Sequence, residues 1–522
     1  MKKLIYISAV LFIAILSCTK VADLGEAPRL FRPVIKDALS SEGNWIKASW
    51  QVVKGAASYT AEISTDTFKT ITARVTLDTN VIVFENLKWE KLYQVQVRAN
   101  AEDSSHNSGI SILGSIKTAR FPTILNIPGL SDVNDNSVKV SWTNSGATVT
   151  AIKILKASDS SEVATPAVLA ADVTNSYKVV SGLNSTTSYI IFLYSGTTVR
   201  GWADFTTKAS LSGNIIDLRG FTGVSTLLMD TIPDIASGSI LLLKRGETYN
   251  MTTTTYLNKT LTFTAGDDLL NPVRPIILFP TNFNITAGSM IDSIVFKDLT
   301  LRGTDYTSKY VFNINTACNI GKVRFDNCLV EIFRGVFRTQ TSPALIGTLE
   351  MNNCIVDSVK DYGVFNISVA TSKVDNIKVT NSTIYKSDMF IASSNSSTSV
   401  LIDGVTFNDN PLGNSKYVIN YGAMNVTNGI TVKNCILGVG RNNAGVFTTR
   451  DVGAGTSTII TASNNYRTSD RVSADVTKDL PSIITLIKSS TQLWQDPFNG
   501  NFKIIDNTFA GRSSAGDPRW RL

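Results

Sequence analysis

The stretch Val323-Arg-Phe-Asp-Asn327 has five related copies in the C-terminal half of this 522-residue chain. The other copies are Ile294-Val-Phe-Lys-Asp298, Leu349-Glu-Met-Asn-Asn353, Ile377-Lys-Val-Thr-Asn381, Val400-Leu-Ile-Asp-Gly404 and Ile430-Thr-Val-Lys-Asn434. Each copy is a strand of period two that ends in Asp, Asn or Gly, and the closing residues fall 29, 26, 28, 23 and 30 positions apart. Because a two-strand unit cannot bury its apolar face alone, this repetition predicts a solenoid of stacked coils.

A second short strand follows each copy. These strands are Tyr310-Val-Phe312, Gly335-Val-Phe337, Gly363-Val-Phe365, Asp388-Met-Phe390, Tyr417-Val-Ile419 and Gly445-Val-Phe447. No amphipathic helical stretch separates the strands, so the pattern predicts a parallel β-helix. The alternative is an antiparallel sandwich with Asn-rich turns, but hairpin proteins seldom keep one residue type at one corner of a long, nearly constant period.

The closing Asn has a physical reason to recur. Asn tolerates left-handed backbone and forms local hydrogen bonds, so it suits a sharp bend between two sheets. Stacked copies are expected to pair amide to amide along the solenoid axis.

Three cysteines follow this corner directly, namely Cys328, Cys354 and Cys435. We interpret them as an inward stack of small apolar side chains. A disulfide between Cys328 and Cys354 is an alternative in an oxidising compartment, although neighbours in parallel strands have poor geometry for it. The spacing does not favour a metal site, since no CxxC pair or neighbouring His exists.

The first 18 residues predict the compartment. Two lysines precede an apolar run from Leu4 to Leu16 that is too short to span a bilayer, and Ser17-Cys18 follows it. This arrangement resembles the bacterial lipobox, which implies a signal peptide at residues 1–17, lipidation of Cys18 and a tether at residues 18–27. An ordinary secretion signal with a coincidental Cys is the alternative. The lipobox reading predicts a membrane attachment through lipid, outside the cytosol.

Two modules, at residues 28–118 and 119–208, separate the tether from the solenoid. Each carries a strand that ends in Trp, at Trp50 and Trp142, and about forty residues later a Leu followed six positions on by Tyr93 or Tyr189. This plan resembles the fibronectin type III sandwich, in which the Trp fills the core and the Tyr hydroxyl fastens a corner. The resemblance implies two spacer modules.

The solenoid, at residues 209–522, resembles two groups of proteins. Its opening coils, from Ile240-Leu-Leu-Leu-Lys-Arg-Gly246 to Arg274-Pro-Ile-Ile-Leu278, look like the right-handed β-helices of the pectate-lyase-like superfamily. Its closing stretches, residues 493–502 and 515–520, resemble β-helix lipoproteins from polysaccharide-utilisation loci of glycan-foraging Gram-negative bacteria. The fold class is therefore expected to be all-β, and the resemblance implies an outer-membrane, cell-surface location beside a glycan-import complex.

Composition limits the function classes. The chain has 43% hydrophobic and 17% charged residues, which is typical of a globular protein. Its net charge of +7 is modest and is not gathered in Lys or Arg runs, so the sequence argues against a nucleic-acid binder. No cofactor is expected for a binding protein.

A basic residue precedes the second strand of each coil. These residues are Lys309, Arg334, Lys360, Lys386, Lys416 and Arg441. If the coils stack in register, they form a ladder with a rise of about 4.8 Å per coil, which predicts binding of an acidic polysaccharide. Solubilising charges on outer turns are the alternative, because the offset to the following strand varies.

An enzyme is the competing class. The compact group Asp357, Lys360, Asp361 and Tyr362 suggests a polysaccharide lyase that eliminates across a uronate. Lys360 and Tyr362 would then be catalytic, and Asp357 and Asp361 would hold calcium. The single His, His106, lies in the first module, so no His base is expected in the solenoid. A structural or adhesive surface subunit is the third possibility.

Overall fold

The computed structural model describes residues 29–119, 123–414 and 416–522. They form two compact units, one comprising the described residues up to Val133 together with Ser137–Thr207, the other Asn134–Asn136 and Lys208–Leu522. The predicted signal peptide, the tether and Cys18 lie outside the described residues, and the domain boundaries stay predictions. In the described ranges, no helix is long and apolar enough to cross a bilayer.

The first unit contains two sandwiches with the same strand order. The strands of the first are β1 (Ser40–Glu42), β2 (Trp45–Ser49), β3 (Ser58–Ser64), β4 (Ala73–Leu77), β5 (Val81–Phe84), β6 (Leu92–Asn100) and β7 (Ser111–Lys117). Those of the second are β8 (Leu125–Asn126), β9 (Ser137–Trp142), β10 (Ala151–Lys156), β11 (Glu162–Ala164), β12 (Tyr177–Ser181), β13 (Ser188–Ser195) and β14 (Thr198–Thr206). The antiparallel sheets are β1–β2–β5 with β4–β3–β6–β7, and β12–β9–β8 with β11–β10–β13–β14.

The predicted Trp and Tyr residues fill their expected places in both sandwiches. Trp50 and Trp142 are buried in the two cores. The hydroxyls of Tyr93 and Tyr189 each accept a hydrogen bond from the backbone amide five residues earlier, at 3.0 and 2.9 Å. The strand order and these corners confirm the prediction of two fibronectin type III-like modules.

The solenoid strands follow in chain order. The first half comprises β15 (Ile215–Asp217), β16 (Ser239–Leu243), β17 (Thr248–Asn250), β18 (Thr255–Leu257), β19 (Leu261–Ala265), β20 (Ile276–Phe279), β21 (Phe283–Ile285), β22 (Met290–Lys297), β23 (Thr300–Gly303), β24 (Tyr310–Ile314), β25 (Cys318–Asp326), β26 (Leu329–Thr339), β27 (Ala344–Asn352) and β28 (Ile355–Ile367). The second half comprises β29 (Lys373–Thr380), β30 (Thr383–Ser387), β31 (Ile391–Ser393), β32 (Ser399–Asp403), β33 (Thr406–Asn408), β34 (Tyr417–Asn420), β35 (Ile430–Lys433), β36 (Ile436–Leu437), β37 (Arg450–Gly453), β38 (Ile460–Ser463), β39 (Tyr466–Arg467), β40 (Ile484–Thr485), β41 (Trp494–Asp496) and β42 (Asn501–Ile504).

Helices are few and short. The α-helices are α1 (Ala170–Asn175), α2 (Leu227–Thr231) and α3 (Ser490–Leu493). The 3-10 turns are Ser104–His106, Leu130–Asp132, Ile232–Asp234, Val476–Lys478, Pro497–Asn499 and Pro518–Trp520. In the solenoid, Leu228 of α2 joins the interior of the opening coils.

The solenoid strands form two parallel sheets. The first sheet has the order β15-β16-β19-β22-β25-β27-β29-β32-β35-β38. The second sheet has a near strip, β17-β20-β23-β26-β28-β30-β33-β36-β39-β40, and a far strip formed by β18, β21, β24, β31, β34 and β37. The long strands β26 and β28 run through both strips, so each coil crosses the first sheet, the near strip and the far strip in turn.

The six repeats stack in register in the first sheet. Ile294, Val323, Leu349, Ile377, Val400 and Ile430 are paired in succession. Ile460 in β38 continues the column as a further copy that the sequence pattern missed. In the interior, the rings of Phe263 and Phe296 stack at 5.0 Å and those of Phe296 and Phe325 at 5.4 Å. The prediction of a parallel β-helix is therefore confirmed.

The corner after the first sheet has the predicted left-handed backbone. The values of φ lie between +51° and +66° at Asp298, Asn327, Asn353, Asn381, Gly404, Asn434 and Asn464. Asn353 donates from its side-chain amide to the side-chain oxygen of Asn327 at 3.0 Å, as expected for stacked amides. Asn381 instead donates to Asn352, at 3.3 Å, so the ladder shifts by one residue at that coil.

The cysteines after the corner are buried. Cys328, Cys354 and Cys435 are free thiols with 1% or less of their surface exposed. The amide of Cys328 lies 3.3 Å from the sulfur of Cys354, as the inward stack requires. Ser382 takes the same position in the next coil and accepts a hydrogen bond from the amide of Cys354 at 3.0 Å.

A C-terminal strap, residues 515–521, crosses the corner of several coils. Buried Asp517 accepts a hydrogen bond from the hydroxyl of Thr383 at 2.8 Å. Its backbone amide donates to the hydroxyl of Thr406 at 2.9 Å. Arg519 donates to the side-chain oxygen of Asn353 at 2.7 Å, and the amide of Gly516 donates to the carbonyl of Asn434 at 2.8 Å.

Replacing Asn353 by Leu tests the corner. We expect the free energy of unfolding of the solenoid to fall by about 1 to 3 kcal/mol, because Asn327 and Arg519 each lose one hydrogen-bond partner, the side chain of Asn353. Asn353→Gly is the matched control, since it keeps the left-handed backbone and removes the same amide. Calorimetric or denaturant unfolding would measure both variants. A loss within about 0.5 kcal/mol for the Leu variant would contradict a structural role for the corner amide.

Candidate functional site

One coil has an irregular turn between the near and far strips. Strands β26 and β28 pair on both sides of this turn, but Arg334 alone lies opposite residues 360–362. In the following coil, residues 388–390 lie opposite residues 360–364. Relative to both neighbours, β28 therefore carries two extra residues. Such bulges redirect side chains and are frequent beside functional sites.

The β28 bulge (residues 360–362) places Tyr362 between two arginines. The guanidinium carbon of Arg338 lies 3.8 Å from the centre of the Tyr362 ring, and that of Arg334 lies 4.5 Å from it. The Tyr310 ring is 5.9 Å from the Tyr362 ring, and burial raises the pKa of Tyr310. We call these four residues the tyrosine–arginine cluster. Both arginines make cation–π contacts with Tyr362.

Arg338 keeps unused hydrogen-bonding capacity. In the described part of the chain it has no carboxylate partner, and its Nε atom has no hydrogen-bond partner. Its Nη1 atom donates a long hydrogen bond to the hydroxyl of Tyr310, at 3.5 Å. A guanidinium has five N–H donors in a fork that fits carboxylates, so the Nη groups of Arg338 have the chemistry to bind an anion, whereas its buried Nε atom is out of reach of a solute.

Arg334 has a partner inside the bulge. Its Nε and Nη2 atoms donate to the two carboxylate oxygens of Asp361, each at 2.9 Å. The hydrogen bond from Arg334 lowers the pKa of Asp361, and Asp361 raises the pKa of Arg334. The side chains are 34% and 48% exposed, so this pair is accessible to solvent.

The neighbouring bulge residue, Lys360, lies over another tyrosine. Its ammonium nitrogen is 4.6 Å from the centre of the Tyr306 ring, which is 45% exposed. Lys309 is adjacent, because its carbonyl accepts a hydrogen bond from the backbone amide of Arg334 at 2.8 Å. Basic side chains and tyrosine rings are thus neighbours along this turn.

Arg441 joins two carboxylates further along the solenoid. It lies 2.9 Å from Asp388 and 3.3 Å from Asp409. Burial raises the pKa of both carboxyl groups, and the charge of Arg441 partly offsets that effect. Lys360 and Lys416 also act electrostatically on Asp388, and Lys386 acts on Asp409.

The six predicted basic residues therefore share a neighbourhood but not a single column. Lys309 and Arg334 are level, whereas the bulge displaces Lys360. Lys386 falls in the near strip, level with Ser358, and both have left-handed backbone. Carboxylates lie between the cations, which the sequence ladder did not include. A role of these residues in polyanion binding stays a prediction.

The residues of the lyase alternative are not arranged around a calcium site. Asp361 is engaged by Arg334, and Asp357 accepts a hydrogen bond from Ser358 at 2.8 Å. Within the described ranges, no group of three or more His, Cys, Asp or Glu could hold a metal ion. Asp357 and Asp361 do not fit a calcium site in this arrangement.

The sequence pattern missed Arg338, Tyr310 and Tyr306. Tyr310 opens a predicted strand and Arg338 directly follows another, but nothing in the repeat separates them from structural positions. Their proximity depends on the β28 bulge, which brings Tyr362 against both. The distance from the first strand to the second varies from 11 to 17 residues among the six copies, so no spacing in the sequence singled out this turn.

The comparisons with known proteins do not identify an activity. Residues 247–387 match the family described as "Domain of unknown function (DUF4957)", and residues 400–520 match "Domain of unknown function (DUF5123)". No curated protein matches the chain. Among solved structures, the chicken CNTN1 FN1-FN3 domains are similar at 16% identity, covering 35% of this chain and 69% of that one with a TM-score of 0.16. The fibronectin-like assignment rests on strand order and the tyrosine corners.

Replacing Arg441 by Met tests the buried charge network. We expect a loss of at most about 3 kcal/mol at neutral pH, because two carboxylates lose their cation. Their folded pKa values are already raised, so protonation favours the folded state. The penalty should shrink as the pH falls through these raised values, as measured by unfolding at several pH values.

Arg334→Met is the control for this charge network. Its partner Asp361 is about half exposed and has a lowered pKa, so we expect a loss of at most about 1 kcal/mol. That loss should not be relieved at mildly acidic pH. An Arg441→Met penalty that grows on acidification would contradict the assignment.

Proposed function

We propose that this chain is a surface protein whose β-helix binds an acidic polysaccharide at the tyrosine–arginine cluster. The observation that carries the proposal is Arg338, a guanidinium stacked at 3.8 Å on Tyr362 without a carboxylate partner in the described ranges. A sugar ring presents C–H groups to an aromatic face, and a uronate presents an anion to Arg. The cluster offers partners for both.

The surrounding charge supports the same ligand. Seven basic residues belong to this neighbourhood, namely Lys309, Arg334, Arg338, Lys360, Lys386, Lys416 and Arg441. Five carboxylates accompany them, namely Asp305, Asp357, Asp361, Asp388 and Asp409. The positive excess favours a polymer with repeated negative charges. Each exposed contact contributes at most about 1 kcal/mol, so affinity would depend on several units binding together.

The anchor belongs to the same proposal. Lipidation of Cys18 would hold the protein at the outer membrane, with the two fibronectin-like modules as spacers. A glycan-import complex in that membrane is the proposed protein partner, and nucleic acid is not a proposed ligand. The parallel β-helix with fibronectin-like modules is compatible with this role.

The binding test compares two arginines. Arg338→Gln should weaken retention on an acidic polysaccharide about tenfold, because a charged hydrogen bond is lost. Arg324→Gln is the matched control, since Arg324 lies on the first sheet and also has an Nε atom without a partner. Affinity electrophoresis in polygalacturonate, alginate and dextran sulfate gels would measure both variants, with neutral dextran as the reference.

Salt gives an independent readout of the same interaction. Retention of the wild type should decrease as ionic strength rises, because screening at about 0.15 M limits exposed charges to about 8 Å. Equal retention of both arginine variants would contradict the proposed site. Preference for neutral dextran, or salt-independent retention, would contradict an acidic ligand.

The anchor is tested by Cys18→Ala. We expect this variant to leave the membrane fraction or to accumulate as an unprocessed precursor, because the acylated thiol is lost. Cys318→Ala is the control and should fractionate as the wild type does. Detergent partitioning and mass spectrometry of the N-terminus would measure the result, and normal processing with unchanged fractionation would contradict lipidation.

A further inference from the structure

The contact between Arg334 and Asp361 has the geometry of ligand recognition within one chain. Two parallel N–H···O bonds of 2.9 Å join a planar guanidinium to a planar carboxylate. Tyr362, the next residue, lies under the same guanidinium at 4.5 Å. Arg–carboxylate pairs of this form are specific as well as strong.

The position of Asp361 depends on the local insertion in β28. Both neighbouring coils make the turn with two fewer residues, and their strands still pair in register. The extra length is therefore not needed to close the coil. It brings Lys360, Asp361 and Tyr362 against Arg334, Arg338 and Tyr306.

Exposure of the pair leaves it open to exchange. Asp361 is 48% exposed and Arg334 is 34% exposed, so water and solutes reach both groups. An exposed ion pair of this kind contributes little net stability. Lys416 and Arg334 both favour the charged form of Asp361, so its carboxylate remains ionised at neutral pH.

We propose that Asp361 occupies the place that a uronate carboxylate of the ligand takes on Arg334. This inference rests on the proposed function and specifies its ligand as a polymer of uronic acid. A uronate carboxylate is planar and matches the two donors of Arg334, whereas a sulfate ester is tetrahedral. The uronate ring would lie against Tyr362, and a second carboxylate of the polymer would lie on Arg338.

Asp361 then acts as a competitor built into the site. A single weak anion must displace it to reach Arg334, whereas a polyuronate gains Arg338 and Lys360 in the same event. The chain thereby favours multivalent ligands over free anions. Removing the charge of Asp361 should strengthen binding, which is the opposite of what loss of an ordinary contact residue does.

The experiment compares two Asp→Asn substitutions that change the net charge equally. Asp361→Asn removes the internal competitor. Asp375→Asn is the control, because Asp375 pairs with Lys373 at 2.7 Å on the first sheet and is similarly exposed at 45%. Retention on polygalacturonate should rise about three- to tenfold for Asp361→Asn and less than about twofold for Asp375→Asn.

A double variant identifies the partner. In an Arg334→Gln background, Asp361→Asn should give no gain, since the competed position no longer exists. Dextran sulfate is the second probe, and its retention should gain less than that of polygalacturonate. Thermal unfolding of each variant checks that the fold is retained.

The outcomes separate this inference from the proposed function. Weaker or unchanged polygalacturonate retention for Asp361→Asn overturns the inference, and so does a gain equal to that of Asp375→Asn. An equal or larger gain on dextran sulfate overturns the uronate assignment. Failure of the wild type to bind any acidic polymer at low ionic strength overturns the proposed function itself.

Discussion

The β-helix depends on a left-handed residue at the end of the first-sheet strands from β22 to β38. Most residues avoid this conformation, which costs roughly 1 to 2 kcal/mol for an ordinary side chain. Asn, Asp and Gly occupy it from Asp298 to Asn464 with φ near +55°. With the bend fixed, the following residue points inward as Cys328, Cys354 or Cys435, and the near strip begins in register. Hydrogen bonds between side chains of adjacent coils then support the conformation that produced them.

The candidate site arises where this regularity fails. The number of residues between the near and far strips also varies in other coils, whereas the first sheet and the near strip stay in register from coil to coil. The β28 bulge brings residues of three coils, Tyr310, Arg338 and Tyr362, into one group. A repeating scaffold that presented identical surfaces in every coil would not distinguish one location on a polymer from another. In the proposed function, the β28 bulge makes this coil differ from its two immediate neighbours, whose strands still pair with it on both sides of the turn.

Much of the fold could be predicted from the sequence because its determinants are local and repeated. The alternation around Val323 and the corner at Asn327 each specify their own conformation, and repetition multiplies the signal. The two Trp and Tyr positions of the sandwiches are similarly fixed by short spacings. The copy that begins at Ile460 was not predicted, because Ala462 weakens the apolar alternation of its strand.

The charge network could not be predicted in the same way. Arg441 meets Asp388 and Asp409 from other coils, and no sequence spacing encodes those distances. Lys386 looked equivalent to Lys360 because both precede a predicted strand, yet Lys386 lies in the near strip and Lys360 in the bulge that follows it. The positions of the basic residues are visible in the sequence. The carboxylates that pair with them can be identified only when the register between the coils is known. Because these ion pairs join residues far apart in the sequence, surface charges are harder to predict from the sequence than the core.

The C-terminal strap gives the solenoid a property that stacked repeats usually lack. In a simple solenoid each coil contacts its neighbours alone, so the array can fray from either end. Here Arg519 reaches Asn353 while Gly516 reaches Asn434, and Asp517 contacts the coils between them. The strap therefore ties together the coils between Asn353 and Asn434. Under mechanical load, this stretch of the β-helix is expected to unfold as one unit rather than coil by coil.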